Sequence, residues 1–263
     1  PIVGAHTTEP HDGGITMDLA TQRILITGGT RGIGLELARE LTRRGAEVAV
    51  SGRTELAPAR VADLYPGARY FRADLGSAEQ VRSLVERLRS DFGPVTMLVN
   101  NAGVQLNHDW TETREQDREC WARMEATTNL VAPLSLTALL LDDLVASPAA
   151  AVVNVTSGLA LAPKRSAPVY SATKAALRSF TQGLRYQLAD HPHVRVIEVV
   201  PPIVDTGMTA GRGEKKMAPQ DVAEAVADGI AADREEIWIG KSSILRVLFR
   251  IAPGLVARMM RDA

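Results

Sequence analysis

The 263-residue chain has one cysteine, Cys120, no excess of either charge, and no long apolar run. A lone thiol forms no internal disulfide and no cysteine-based zinc site, which points to a reducing, cytoplasmic setting. Thirty basic against thirty-one acidic side chains give a formal net charge of −1. That leaves no basic field to hold a phosphate backbone, which argues against nucleic acid as the main partner. The longest nearly apolar stretch, residues 130–141, is interrupted by Pro133, Ser135 and Thr137, and is too short to cross a bilayer. Residues 1–16 contain no basic segment followed by an apolar one and do not read as a signal peptide. Residues 1–17 are expected to form a disordered leader. His191 and His193 have no matched ligands elsewhere, so no metal site is expected.

What is present is an alternation. Short β-branched runs at 23–27, 47–51, 68–73, 95–100, 150–156, 194–200 and 236–239 are separated by segments with apolar residues at helical spacing, such as Leu37, Ala38 and Leu41, then Val81, Leu84, Val85 and Leu88. Alternating strand and helix implies parallel pairing with right-handed crossovers. The expected fold is therefore α/β: a single Rossmann-type domain over 18–240, with a doubly wound, parallel, seven-stranded sheet and helices on both faces. A helical extension follows at 241–263.

The first run passes directly into Gly28-Gly29-Thr30-Arg31-Gly32-Ile33-Gly34 and then a helix. Glycines that close a strand and open a helix allow a tight turn and let amides approach a pyrophosphate. The second run ends in Ser51-Gly52-Arg53, where an acid would read the ribose of NAD. Arg31 and Arg53 suit a 2′-phosphate instead, hence NADP(H), although with 25 arginines in the chain they also read as surface residues. Of the four tyrosines only Tyr170 is followed four places on by a lysine, Lys174, one helical turn away. Ser157 ends the fifth run, at the carboxyl edge of the sheet where ligands of such folds bind. Asn129 precedes Pro133 by four residues, so its carbonyl loses a helical donor. A water site and a simple kink are both consistent with that spacing.

Taken together these residues resemble the short-chain dehydrogenase/reductase family over about 18–239. The motifs are Thr27 to Gly34, Asp74-Leu75, Asn100-Asn101-Ala102-Gly103, Asn129, Ser157, Tyr170 with Lys174, and Pro201 through Thr206. The stretches at 155–160 and 201–206 further resemble a bacterial branch of DltE type. The resemblance implies an NADP(H)-dependent oxidoreductase acting on a small carbonyl or secondary alcohol. Tyr170 would be the acid–base group, with Lys174 on the nicotinamide ribose and lowering the phenol's pKa. Ser157 would hold the substrate oxygen, and the Asn129 carbonyl a proton-relay water. Gly28, Thr30, Arg31, Gly32, Ile33, Gly34 and Arg53 would take the phosphates. Asp74 and Leu75 would contact adenine, Asn101, Ala102 and Gly103 the adenosine side, and Pro201, Ile203 and Thr206 the carboxamide side. The family usually has Pro-Gly after strand six, whereas here Pro202 follows Pro201 and removes both an amide donor and a positive φ. A cofactor sensor or scaffold of the same fold is the alternative, but it has no need of a complete Asn129, Ser157, Tyr170 and Lys174 set.

Three expectations concern surfaces. Leu134, Leu136, Leu139, Leu140, Leu177 and Leu184 read as surplus aliphatic surface, and the resemblance implies that these helices pair into a homodimer or homotetramer. The charged segment after Thr206, with Arg212, Lys215 and Lys216, reads as a mobile, solvated lid. Ile244, Val247, Leu248, Ile251, Leu255 and Met259 form an apolar helical stripe broken at Pro253-Gly254. That stripe is expected to be covered by its own domain or a partner subunit, and the arginines around it are the only hint of a membrane.

Overall fold

The β-branched runs become seven parallel strands in a computed structural model that describes residues 17–209, 211 and 216–262. They are β1 (Arg23–Thr27), β2 (Glu47–Gly52), β3 (Arg69–Arg72), β4 (Met97–Asn100), β5 (Ala150–Val155), β6 (Val194–Val200) and β7 (Glu236–Trp238). The sheet order β3-β2-β1-β4-β5-β6-β7 reverses direction at β1, which pairs with β2 on one side and β4 on the other. That reversal opens a crevice at the carboxyl ends of β1 and β4.

Helices cover both faces: α1 (Gly32–Arg43), α2 (Pro58–Leu64), α3 (Ala78–Asp91), α4 (Glu115–Ala126), α5 (Ala132–Ala146), α6 (Pro168–Gln187) and α7 (Pro219–Ala231). The strands are apolar on both sides because both sides are buried. Ile24 and Ile26 point into one core with Leu37, Leu41 and Val226, and Leu25 into the other with Leu84, Leu136 and Leu140. A π-helical turn, Thr127–Val131, joins α4 to α5, so the chain stays helical past Pro133. The continuous helix of 32 residues is long and apolar enough to cross a membrane by composition. It is instead a core helix, with Ala132, Leu136, Leu140 and Leu144 buried against the sheet.

Three expectations are corrected. Leu136, Leu140, Leu177 and Leu184 are not surplus surface; all are buried within one chain, and Leu139 packs against the same core. The reason is that α5 packs on both the sheet and α3, so leucines on more than one side of it are covered. Thr137 and Thr181 also enter the core by donating their hydroxyls to the carbonyls of Pro133 and Leu177. Met17 is not part of a disordered leader: it is buried in the core beside Leu19. The rest of that leader lies outside the described residues.

The third correction concerns cover of the extension by its own domain; the extension forms α8 (Lys241–Ile251) and α9 (Pro253–Arg261), separated at Ala252. The apolar stripe is turned away from its own domain: Ile244, Val247, Ile251, Leu255 and Met259 are exposed. The orientation is set by polar ties on the opposite side. The buried Ser242 hydroxyl donates to the Val200 carbonyl (2.7 Å) and accepts the Ile239 amide (2.8 Å), and Arg246 pairs with Glu236 (2.8 Å).

The buried position of Leu136 carries a test. Leu136→Ala should destabilise the protein by about 3 kcal/mol in urea unfolding, whereas Val131→Ala, at the 50 % exposed position on the same helix, should change it by less than about 0.5 kcal/mol.

Candidate active site

The crevice is built on the turn after β1. Gly28 has φ +68°, and a Cβ there would lie 2.6 Å from the Ala102 Cα; a Cβ on Gly34 would lie 2.4 Å from Asn101 Nδ2 and 2.6 Å from the Gly28 carbonyl. No side chain fits either place without movement of the backbone. The turn is tied to its neighbours by three side chains. Asn101 Nδ2 donates to the carbonyls of Thr27 (2.9 Å) and Gly28 (3.2 Å), while Thr27 Oγ1 accepts the amides of Asn101 (3.1 Å) and Ala102 (3.0 Å). Tyr65 donates its hydroxyl to the Gly29 carbonyl at 2.7 Å, and burial pushes the phenol up to about 12, so it remains a donor. The opening amides of α1 face the same crevice.

One cleft runs from this turn along the sheet edge. Its lining includes Gly28, Thr30, Arg31, Gly32, Ile33, Gly34 and Arg53 at one end, Asp74, Leu75, Asn101, Ala102 and Gly103 along the floor, and Tyr170, Lys174, Pro201 and Thr206 at the other. Arg31 and Arg53 have no acidic partner among the described residues. Arg43, Arg44, Arg72 and Arg89, by contrast, are all ion-paired. Asp74 accepts the Gly76 amide at 2.9 Å and so shapes the turn after β3. The Thr206 methyl lies 2.8 Å from the position of a Cβ on Gly32, which brings the segment after β6 onto the glycine turn. Ile203, 51 % exposed, is not part of the lining.

At the far end α6 carries Tyr170 and Lys174 one turn apart, both buried. Lys174 Nζ donates to the Val155 carbonyl at 2.7 Å and lies 5.8 Å from the centre of the Tyr170 ring. Burial pulls its pKa down to about 8. Asn129 sits in the π turn, where Pro133 withholds an amide donor from its carbonyl. Its side-chain amide holds Val104 by both backbone groups at 2.8 Å and reaches Thr173 Oγ1 at 3.2 Å. Around Gly103, the position of a Cβ lies 3.5 Å from Asn129 Oδ1 and 3.8 Å from Lys174 Nζ. Asn129, Tyr170 and Lys174 are thus brought together around Gly103, and the fourth residue of the set is Ser157. That residue follows β5 and caps the 3₁₀ turn Gly158–Ala160, accepting the Leu159 amide at 3.1 Å.

Several supporting residues have roles that the sequence motifs do not assign. Asn100 Nδ2 donates to Asn154 Oδ1 (2.8 Å), and Asn154 Nδ2 to Thr181 Oγ1 (2.9 Å), a buried polar chain that pins α6 to β4 and β5. Polar residues inside otherwise apolar runs were the available signal. Buried Glu198 on β6 accepts from Thr156 Oγ1 (2.6 Å) and Arg178 (2.5 Å), fixing the residue before Ser157. Glu125, fully buried, accepts the Leu106 amide at 2.9 Å, and burial raises its pKa. The described part of the segment after Thr206 ties one of its charges to the protein. Lys216 donates to the Thr209 carbonyl at 2.8 Å and pairs with Asp205 at 3.5 Å. Arg212 and Lys215 lie outside the described residues.

Residues 22–217 match the model of the short chain dehydrogenase family. The chain is 37 % identical to the uncharacterized oxidoreductase DltE of Bacillus subtilis over 230 residues, 84 % of this chain and 89 % of that protein. Its fold is similar to that of a short chain dehydrogenase from Burkholderia cenocepacia solved in complex with NADP, with a TM-score of 0.81, 26 % identity, and coverage of 94 % of this chain and 100 % of that one. It is also similar to a blue fluorescent protein from a metagenomic library in complex with NADPH, with a TM-score of 0.70, 28 % identity, and coverage of 81 % and 93 %. A family match over most of the chain, a relative of this similarity and a glycine turn, tyrosine and lysine sharing one cleft lead to the same conclusion: this protein is an oxidoreductase of the short chain dehydrogenase family.

Proposed function

We propose that the protein is an NADP(H)-dependent oxidoreductase that interconverts a carbonyl and a secondary alcohol, with Tyr170 as acid–base group. The observation that carries the reading is Tyr170 beside a buried ammonium, Lys174, in the cleft that begins at the glycine turn. The cleft suits a dinucleotide: its turn excludes side chains where a pyrophosphate would approach, and Arg31 and Arg53 offer unpaired guanidinium groups. When bound, the nicotinamide supplies or accepts the hydride.

In the direction of reduction, Tyr170 gives its phenolic proton to the carbonyl oxygen, and Ser157 holds that oxygen as charge develops on it. The Lys174 ammonium holds the ribose hydroxyls and favours the phenolate that results. The Asn129 carbonyl, left without a helical donor by Pro133, holds the water that returns a proton through Lys174. Gly28, Thr30, Gly32, Ile33 and Gly34 surround the pyrophosphate, and Arg31 and Arg53 take the 2′-phosphate. Asp74 and Leu75 flank the adenine, Asn101, Ala102 and Gly103 the adenosine side, and Pro201 and Thr206 the carboxamide side, while Ile203 lies outside the cleft. The exposed thiol of Cys120 suits a reducing, cytoplasmic compartment.

Tyr170→Phe keeps the ring and removes the proton, so turnover should fall roughly 100-fold or more while NADPH still binds. Retained turnover would remove Tyr170 from the acid–base role, and absence of turnover by the unaltered protein across a carbonyl library would assign a sensor or scaffold role instead. Arg31→Ala and Arg53→Ala should each weaken the preference for NADPH over NADH by about ten- to a hundredfold, the value of one charge-assisted bond of ~1.5–3 kcal/mol. Equal kcat/KM for the two cofactors in the unaltered protein would overturn this assignment.

Lys174 also predicts a pH dependence. Its folded pKa of about 8 lies below the ordinary 10.5. Between the two the unfolded chain holds a proton that the folded chain does not, so stability rises with pH. From pH 8 to 10.5 the ligand-free protein should gain about 3 kcal/mol relative to Lys174→Met in urea unfolding. A difference that stays constant over that range would show that the ammonium is not desolvated.

A further inference from the structure

The outward face of α8 and α9 carries five of the ten exposed large apolar side chains among the described residues, and neither the core nor the cleft uses it. Ile244 (68 % exposed), Val247 (57 %), Ile251 (77 %), Leu255 (46 %) and Met259 (55 %) follow one another at three- and four-residue spacing, with Leu248 half-buried beside them. Residues 241–261 contain five basic side chains, Lys241, Arg246, Arg250, Arg258 and Arg261, and no acidic one. Of these, Lys241, Arg250 and Arg258 have no ion-pair partner among the described residues. At about 100° per residue, Lys241 and Arg250 fall on opposite flanks of the α8 stripe.

This orientation is built in, not left over. The opposite side of the helix pair is anchored by Ser242, by the Arg246–Glu236 pair and by packing of Arg246 over the Trp238 ring at 5.6 Å. Leu245 and Met260 point at Gly158, where an added Cβ would meet them at 2.7 and 3.9 Å, and the Arg165 amide donates to the Arg261 carbonyl at 2.8 Å. The helices therefore have one satisfied face against the turn that follows Ser157 and one apolar face edged by cations.

We propose that this outward face is a seat for an anionic lipid surface, with the apolar stripe entering the headgroup boundary and Lys241, Arg250 and Arg258 meeting lipid phosphates. Charge selects this occupant over a second copy of the chain. Two copies joined through this face would bring Lys241, Arg250 and Arg258 of each together, while the acids beside it, Glu236 and Asp262, are already paired with Arg246, Arg165 and Arg261; an anionic bilayer supplies both an apolar interior and negative headgroups. The seat holds the bilayer beside the turn that follows Ser157. It does not depend on the reaction proposed above.

Co-sedimentation of the full chain with phosphatidylcholine vesicles, with and without phosphatidylglycerol, tests the proposal. The unaltered protein should bind the anionic vesicles, release as salt is raised, and leave the zwitterionic ones unbound. Arg250→Gln with Arg258→Gln should weaken binding roughly 30-fold. Ile251→Ser with Leu255→Ser should abolish it, and both double variants should keep the unaltered unfolding temperature because all four positions are exposed. Absence of the protein from anionic vesicles would overturn the proposal, as would equal binding by the serine variant or to the zwitterionic vesicles. So would a dimer in light scattering that the serine substitutions dissolve while no vesicle binding is seen.

Discussion

The side-chain amide of Asn129 is the joint on which the Tyr170 end of the cleft depends. One planar group holds the backbone of Val104 from both sides and reaches Thr173, so it links the turn after β4, the π turn and α6. Each of those segments carries part of the cleft, and the amide sets their direction as well as their spacing, with the Glu125–Leu106 bond as a second tie on the same turn. A buried amide left unpaired costs more than a hydrogen bond contributes, so this arrangement is all-or-none. The π turn is what aims it. One extra residue in the helical repeat turns Asn129 inward while leaving α5 in register with the core.

Electrostatics divides the cleft in two. Arg31 and Arg53 are exposed cations with no acidic partner among the described residues. Lys174 is the reverse, a cation already stripped of water and held by one carbonyl, Val155. The first arrangement contributes affinity by meeting charge with charge. The second stores the cost of desolvation in the folded protein, where a hydroxyl-rich ligand can offset it.

Most of the fold was legible because strand and helix periods alternate cleanly: β1 and β6 coincide with the runs read from the sequence, and the others differ by one or two residues at an end. The glycine turn and the Tyr170–Lys174 pair were legible because each is local. What failed was long-range. Apolar period shows that Leu136 and Leu184 lie on apolar faces, but not that neighbouring elements cover more than one such face. The stripe on α8 and α9 failed in the opposite sense. Its period is that of a buried helix, yet the chain's own ties, Ser242 and Arg246, lie on the other side. The joint at Asn129 was read through its carbonyl, and its side chain's contacts lie 25 and 44 residues away in sequence.

Gly52 has a further consequence. A Cβ there would meet Thr30 Cγ2 at 2.6 Å and the Tyr70 hydroxyl at 2.8 Å. Tyr70 in turn stacks on Tyr65, which holds the Gly29 carbonyl. A side chain at position 52 therefore requires both the Thr30 methyl and the Tyr70 hydroxyl to shift. An acidic residue at the end of β2 is thereby coupled to the aromatic pair beneath the glycine turn, because the Tyr70 ring that must give way stacks on the Tyr65 that holds Gly29. The charge at one strand end and the rigidity of the neighbouring turn are thus set together by the spacing of three side chains.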